Sequence, residues 1–213
     1  MLKGLLQSLL RLFFHLLYHQ FAWTYDWVAA IVSIGRWNDW VMATLPFILG
    51  PRVLEIGYGP GHLQVAMRRN GLLPYGVDAS WQMSRFACLR LSECCFEPLI
   101  INGYAQFISF SSKSFNSVII TFPTRDIFSP ASLSEIYRVL KPGGKLAALP
   151  SAWIKGTRWC DKLAAWLFRA TGQTSDWDES YILPFITANF EVKIELVELN
   201  SSQILLILAT KPP

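Results

Sequence analysis

The chain has 213 residues, enough for one domain with a substantial core, and carries 19 Lys and Arg against 15 Asp and Glu for a net charge of +4. Hydrophobic residues make up 52% and charged residues 16%, against about 25% charged in an average soluble protein. So mild and dispersed a charge leaves no electrostatic footprint for nucleic acid, and the cysteines Cys88, Cys94, Cys95 and Cys160 lack metal-ligand spacing, so no metal is expected and they read as reduced packing residues of a cytoplasmic protein.

In residues 1–20, Lys3, Gln7, Arg11, His15 and His19 recur at every fourth position among Leu, Phe and Tyr. That spacing predicts a helix with a narrow polar stripe and a broad apolar face. The polar interruptions argue against a membrane span, which needs about 20 mostly apolar residues. Arg11 also breaks the uncharged run that a cleaved signal peptide requires. A basic stripe, a wide apolar face and no acid before Asp26 describe a helix lying in a membrane interface. The alternative is a helix docked on this domain's own core or on a second subunit. An aromatic-rich helical stretch follows, containing the pair Tyr25-Asp26 and the run Ser33-Ile34-Gly35. Residues 1–44 are thus expected to be a helical extension, and residues 45–213 the main domain.

Val53-Leu-Glu-Ile-Gly-Tyr-Gly-Pro-Gly-His-Leu63 is a short apolar strand with an acid near its end, a turn with glycine at 57, 59 and 61, and the start of a helix. Such glycines let the backbone turn sharply and lie against a ligand, delivering it to a helix N-terminus that favours negative charge. A dinucleotide fingerprint would place its third glycine at position 62, where His62 stands, so a nicotinamide-dependent dehydrogenase is disfavoured. Leu73–Asp78 is a second strand with an acid at its tip, suited to hold a ribose diol. Helices are expected over Leu63–Asn70 and Trp81–Glu93, and a third strand over Glu97–Asn102. Ser117–Phe122 is the fourth strand. Ser134–Leu140 is a helix stopped by Lys141-Pro-Gly-Gly144, followed by strand Lys145–Pro150. The last two strands, Glu191–Leu199 and Gln203–Thr210, flank a turn at Asn200-Ser201. Residues 151–190 hold Trp153, Trp159, Trp166 and Trp177, with a helix near Arg158–Ala170. An aromatic insertion at this edge of a sheet suits an apolar substrate pocket or ordinary core packing.

The ordered set of strand, acid and glycine loop, then Asp78, then the helix–KPGG–strand junction resembles the class I S-adenosylmethionine (SAM)-dependent methyltransferases. With the Tyr25-Asp26 segment, it resembles in particular the ubiquinone/menaquinone biosynthesis C-methyltransferases and the phospholipid N-methyltransferases. The resemblance implies a Rossmann-like α/β fold: seven mostly parallel strands, helices on both faces and an antiparallel last strand. It implies SAM as cofactor, bound by Glu55, Gly57, Tyr58, Gly59, Gly61, Asp78, Ala79, Met83, Ala105, Gln106 and Thr121.

The family's aspartate before Ala105, which accepts from the adenine amino group, is replaced by Tyr104. Its aspartate at the start of strand four is replaced by Asn116. Both neutral replacements are expected to weaken adenine recognition. Tyr25 as a ring wall and Asp26 as a proton acceptor are the candidate catalytic residues, with helix capping the alternative for Asp26. The implied reaction is methyl transfer to an apolar, membrane-associated acceptor, either a prenylated quinol precursor or a phospholipid amine. The expected site of action is the inner face of the cytoplasmic membrane. A non-catalytic SAM-fold protein that binds a lipid or a partner is the alternative of a different class.

Overall fold

The structure, a computed structural model, describes residues 33, 35–155 and 182–213. The expected helix over 1–20, the pair Tyr25 and Asp26, and the helix near 158–170 with Trp159, Trp166 and Trp177 lie outside the described residues. The described elements, in chain order, are α1 (Trp37–Met42), β1 (Arg52–Ile56), α2 (His62–Arg69), β2 (Leu73–Asp78), α3 (Trp81–Glu93) and β3 (Ile100–Asn102). After them come β4 (Phe115–Thr121), α4 (Pro130–Val139), β5 (Leu140–Ile154), α5 (Leu183–Thr187), β6 (Glu191–Leu199) and β7 (Ser202–Thr210).

The strands form one sheet in the order β3-β2-β1-β4-β5-β7-β6. β1 to β5 pair in parallel, and β7 runs antiparallel to both β5 and β6. The order reverses at β1 and β4, which opens a crevice at the carboxyl ends of the strands.

Alternation along the strands divides the core into two layers. Leu54, Ile56, Val118, Ile120, Leu146, Ala148, Ile207 and Ala209 face α4 and α5 through Leu133, Ile136, Val139 and Phe185. Val53 and Ile119 face the other way, onto Val41 of α1 and Leu63 and Met67 of α2. Beside them Trp40 packs on Ala147, Leu149, Ala152, Ile204, Leu206 and Leu208. Its indole N–H donates to the Ser202 hydroxyl at 2.8 Å in a buried contact. So α1, which precedes residue 45, is part of the same packed core.

Several boundaries differ from expectation, among them β4, which is Phe115–Thr121 rather than Ser117–Phe122, and β5, which runs on to Ile154. β3 is only three residues long, because Glu97 and Pro98 precede any ladder partner. α4 begins at Pro130, with Ser129 as N-cap accepting from the Ser132 N–H, so it starts four residues early and ends before Pro142. Lys141-Pro-Gly-Gly144 belongs to β5, as an irregularity between the pairings Phe115↔Leu140 and Ser117↔Lys145. Gly143 has φ +72°, and the β7 end holds the irregularity through Gly143 N–H to Lys211 O and Lys211 N–H to Gly144 O, both 2.9 Å. The glycines here make a bulge rather than only a helix stop.

Candidate active site

The glycine loop between β1 and α2 is built from three left-handed residues, with φ of +74° at Gly57, +51° at Gly59 and +85° at Gly61. The three serve different ends. A Cβ on Gly59 would meet nothing within 4 Å, whereas one on Gly61 would lie 3.0 Å from the Ala87 Cβ and 3.1 Å from its Cα. Gly61 therefore lets the loop approach α3 closely, and Gly59 leaves the loop's outer side bare. Arg90 of α3 donates to the Pro60 carbonyl and fixes the loop from beneath.

Asp78, at the tip of β2, accepts from the Gly59 N–H at 2.9 Å and from the Ser80 N–H at 2.8 Å. It thereby ties the glycine loop to the start of α3, where Ser80 is the N-cap, accepting from the Met83 N–H at 3.3 Å. The loop after β3 joins the same knot. The Gly103 N–H donates to the Asp78 carbonyl at 2.9 Å, and the Asn102 side-chain amide does so at 2.8 Å.

Glu55 lies two residues after Val53 and shares its face, the α2 side of the sheet, where it is 2% exposed. Gln64 of α2, also buried, donates to Glu55 Oε2 at 2.8 Å and to the Tyr75 carbonyl at 3.3 Å. Burial, countered by the Gln64 hydrogen bond and reinforced by the Asp78 charge, pushes the Glu55 carboxyl up to about 8.

A shallow open cleft lies over these residues, walled by Glu55, Gly57, Gly59 and Thr121 on the sheet side and by Trp37 and Asn38 of α1. Thr121 ends β4. The next residue, Phe122, has φ +48°, a left-handed conformation unusual for a bulky side chain. Its ring stacks on Trp37, with centroids 4.0 Å apart and planes at 26°, so β4 and α1 close one end of the cleft together.

The residues expected at a cofactor are thus distributed unevenly. Glu55, Gly57, Gly59 and Thr121 share the cleft, and Asp78, Ala79, Ala105 and Gln106 stand on the loops beside it. Gln106 donates to the Asp126 carbonyl at 3.4 Å, linking the β3 loop to the β4 loop. The Tyr58 hydroxyl pairs with Ser84 at 2.7 Å under the loop, and burial pushes that phenol above its ordinary range. Tyr58 borders the cleft with its ring set against Gly76. Met83 is 1% exposed and sits in the layer below the loop.

Asn116 requires a correction. It stands at the amino end of β4, five residues before Thr121 and therefore about 16 Å from the cleft edge. There its side-chain oxygen accepts from the Arg52 N–H and the Lys141 ammonium, each at 3.3 Å. Tyr104 is where expected, in the loop after β3, and is 64% exposed.

Sequence reasoning missed Gln64, Arg90 and the Trp37–Phe122 stack. Gln64 on the otherwise apolar face of α2, nine residues after a buried acid, was the available signal. Arg90 and Phe122 left none.

A model of a methyltransferase domain matches residues 53–144. A demethylmenaquinone methyltransferase of Symbiobacterium thermophilum is 32% identical over 148 residues, covering 64% of this chain and 58% of that protein. The chain thus spans a little over half the length of this relative. Among solved structures, a possible histamine N-methyltransferase of Thermotoga maritima superposes with a TM-score of 0.64 at 17% identity, covering 92% of this chain and 98% of that one. Phosphoethanolamine N-methyltransferase 2 of Haemonchus contortus, solved with S-adenosylhomocysteine and phosphomonomethylethanolamine, superposes at 0.61 with 19% identity, covering 84% and 54%. At these identities the two structures bear on the fold alone.

Proposed function

From the class I SAM-dependent methyltransferase domain that this chain carries, we propose that the protein transfers a methyl group from SAM to the ring carbon of an apolar, membrane-associated quinol precursor. The 32% identity to a demethylmenaquinone methyltransferase over 148 residues carries the choice of a quinol over a phospholipid amine. Asp78 takes the ribose hydroxyls, which replace the Gly59 and Ser80 N–H groups as partners or join them. Gly59, bare on its outer side, lets the cofactor lie on the loop. The loop of Ala105 and Gln106 follows β3, on the side of Asp78 away from β1, and faces the adenine. Glu55, Gly57, Thr121 and Trp37, which line the same cleft, would hold the rest of the cofactor, whose sulfonium would supply the methyl group.

The chemistry asks for position and exclusion of water more than for a nucleophile. The S–CH3 bond breaks as the new C–CH3 bond forms, the electron pair stays on sulfur, and the ring loses a proton. Asp26 takes that proton and Tyr25 walls the ring. Residues 1–20 lie in the bilayer interface, Lys3 and Arg11 drawing the helix toward anionic lipid, so the acceptor reaches the cleft from the membrane.

The protein incubated with methyl-labelled SAM and a short-chain demethylmenaquinol should yield a labelled quinone. Label moving instead to phosphatidylethanolamine in the same vesicles would replace the quinol by the amine. No product from either, with SAM bound, would favour the non-catalytic alternative. Deleting residues 1–20 should release the protein from anionic vesicles and leave SAM binding intact.

A further inference from the structure

We propose that Glu135 and Arg138 of α4 are positioning residues for the cofactor's base: they hold the turn Tyr104–Phe107 in the shape that receives the adenine, without touching it. The inference rests on the SAM reading above.

Among the described residues, 103–114 join no strand ladder, so their main-chain groups need other partners. Side chains of α4 supply them. Glu135 Oε2 accepts from the Ile108 N–H at 2.9 Å. Arg138 donates through Nη2 to the Ile108 carbonyl and through Nη1 to the Phe110 carbonyl, both at 2.8 Å. The same Nη1 reaches the Ser112 hydroxyl at 3.4 Å. Both main-chain groups of Ile108 are thus gripped by two side chains that neighbour each other on one helix face.

The grip is itself locked. Arg138 Nε donates to Glu135 Oε1 at 2.7 Å and Nη2 donates to Oε2 at 2.8 Å, the two-pronged geometry that a guanidinium shares with a carboxylate. Those bonds hold the Glu135 carboxyl below its ordinary range. With side chains 34% and 23% exposed, such a pair adds little to stability by charge alone. Its remaining donors and acceptor go to the loop.

Ile108 is one of two fixed points around the turn. The other is Gly103, whose N–H donates to the Asp78 carbonyl at 2.9 Å. Only residues 104–107 lie between them, closed by the Phe107 N–H to the Tyr104 carbonyl at 3.1 Å. Tyr104 and Phe107 are 64% and 79% exposed, and Ala105 is the buried member. Packing therefore does little to shape the turn. The Ile108 side chain, 3% exposed, anchors the segment in the core, but it does not fix how the peptide groups point. Glu135 and Arg138 do.

The test is calorimetry of S-adenosylhomocysteine binding, with S-ribosylhomocysteine, which lacks the base, measured by competition. Hydrogen exchange of peptide 103–112 is read beside it. In Arg138→Gln the amides of Ile108 and Phe110 should exchange faster, while β4 and β5 keep wild-type protection. If the turn is then competent about a tenth of the time, S-adenosylhomocysteine weakens about tenfold, and S-ribosylhomocysteine stays within twofold. Arg138→Lys should not rescue, because one ammonium cannot serve two carbonyls and a carboxylate together. Glu135→Gln retains an acceptor for the Ile108 N–H and should lose less than Arg138→Gln. The control is Lys193→Gln, which breaks an exposed ion pair on β6 and should change neither ligand. If Arg138→Gln does not fold, Glu135→Gln decides with the same two ligands. A loop that exchanges no faster, a faster loop with unchanged S-adenosylhomocysteine affinity, an equal loss for both ligands or rescue by Arg138→Lys overturns this inference alone. Failure of the wild type to bind S-adenosylhomocysteine overturns the cofactor reading and this one with it.

Discussion

The acids near the ends of β1 and β2 differ in depth, and the depth sets their roles. Glu55 pairs in register with Gly76, so it lies two residues, or about 7 Å, further into the sheet than Asp78. At that depth it has Gln64 as its side-chain donor and its carboxyl is pushed up to about 8. Asp78 stands at the mouth with the Gly59 and Ser80 N–H groups on its two oxygens. One acid is a buried group held by an amide donor; the other is a clasp holding two loops together. Two residues of register separate these chemistries.

The glycines on either side of that clasp should break the comparison most sharply. Gly61→Ala drives a Cβ to 3.0 Å from Ala87 at φ +85°. Overpacking and the left-handed penalty together cost roughly 3 kcal/mol, to be read as a drop in the urea midpoint. Gly59→Ala has only the φ penalty of about 1 kcal/mol, because its Cβ meets nothing. In the proposed binding mode it points at the cofactor, so SAM affinity should fall more than tenfold by calorimetry. The reverse pattern would mean that the cofactor does not cross Gly59.

Glu55 makes the next largest effect, in stability against pH without ligand. Its folded value, about 8, lies above the ordinary 4.5. Between those values the unfolded chain has given up a proton that the folded chain retains, so the fold is progressively destabilised as pH rises through that window. The effect is absent below about pH 4.5 and complete above about pH 8. Glu55→Gln should flatten this slope and make the protein more stable at pH 8 by an amount on the order of 2–4 kcal/mol, while matching wild type near pH 4.5. A Glu55→Gln protein with the wild-type slope would place the titrating group elsewhere.

These contrasts mark what the sequence could carry. The glycine loop and the acid of β2 were legible because each is local, a strand and a turn within about ten residues, whereas the seven-stranded sheet followed from the resemblance and its strand order from the structure alone. The depth of Glu55 was not legible, since it depends on register with β2, nor was Gln64, whose role depends on which face of α2 meets the sheet. The place of Asn116 was not legible for a related reason. Alignment puts it beside other family positions, but only the strand's length shows that it lies at the wrong end. Phe122 read as a plain strand end, and its left-handed φ follows from closing against Trp37 of α1, a contact between segments 85 positions apart by number. Tyr25 and Asp26 fall outside the described residues and rest on resemblance.

Asn116 and Tyr104 carry the smallest expected effects, and they sharpen the division between the ends of the sheet. Asn116→Asp restores the family's residue at the amino end of β4, where Lys141 is 3.3 Å away. It should shift stability by at most about 0.5 kcal/mol and leave SAM affinity unchanged. Tyr104→Asp restores the other family residue, on the loop that hydrogen-bonds to Asp78 through Gly103. Tyr104 is 64% exposed, so replacing it should barely move the melting curve. An aspartate there can accept from the adenine amino group, a gain of about 1 kcal/mol or roughly fivefold in affinity. Inosine-based S-adenosylhomocysteine, which lacks that amino group, should show no gain. Tighter binding of the adenine form alone would assign this loop to adenine. Weaker binding would mean that the tyrosine ring itself lies on the base, and a stacking contact would then stand where the family uses a hydrogen bond.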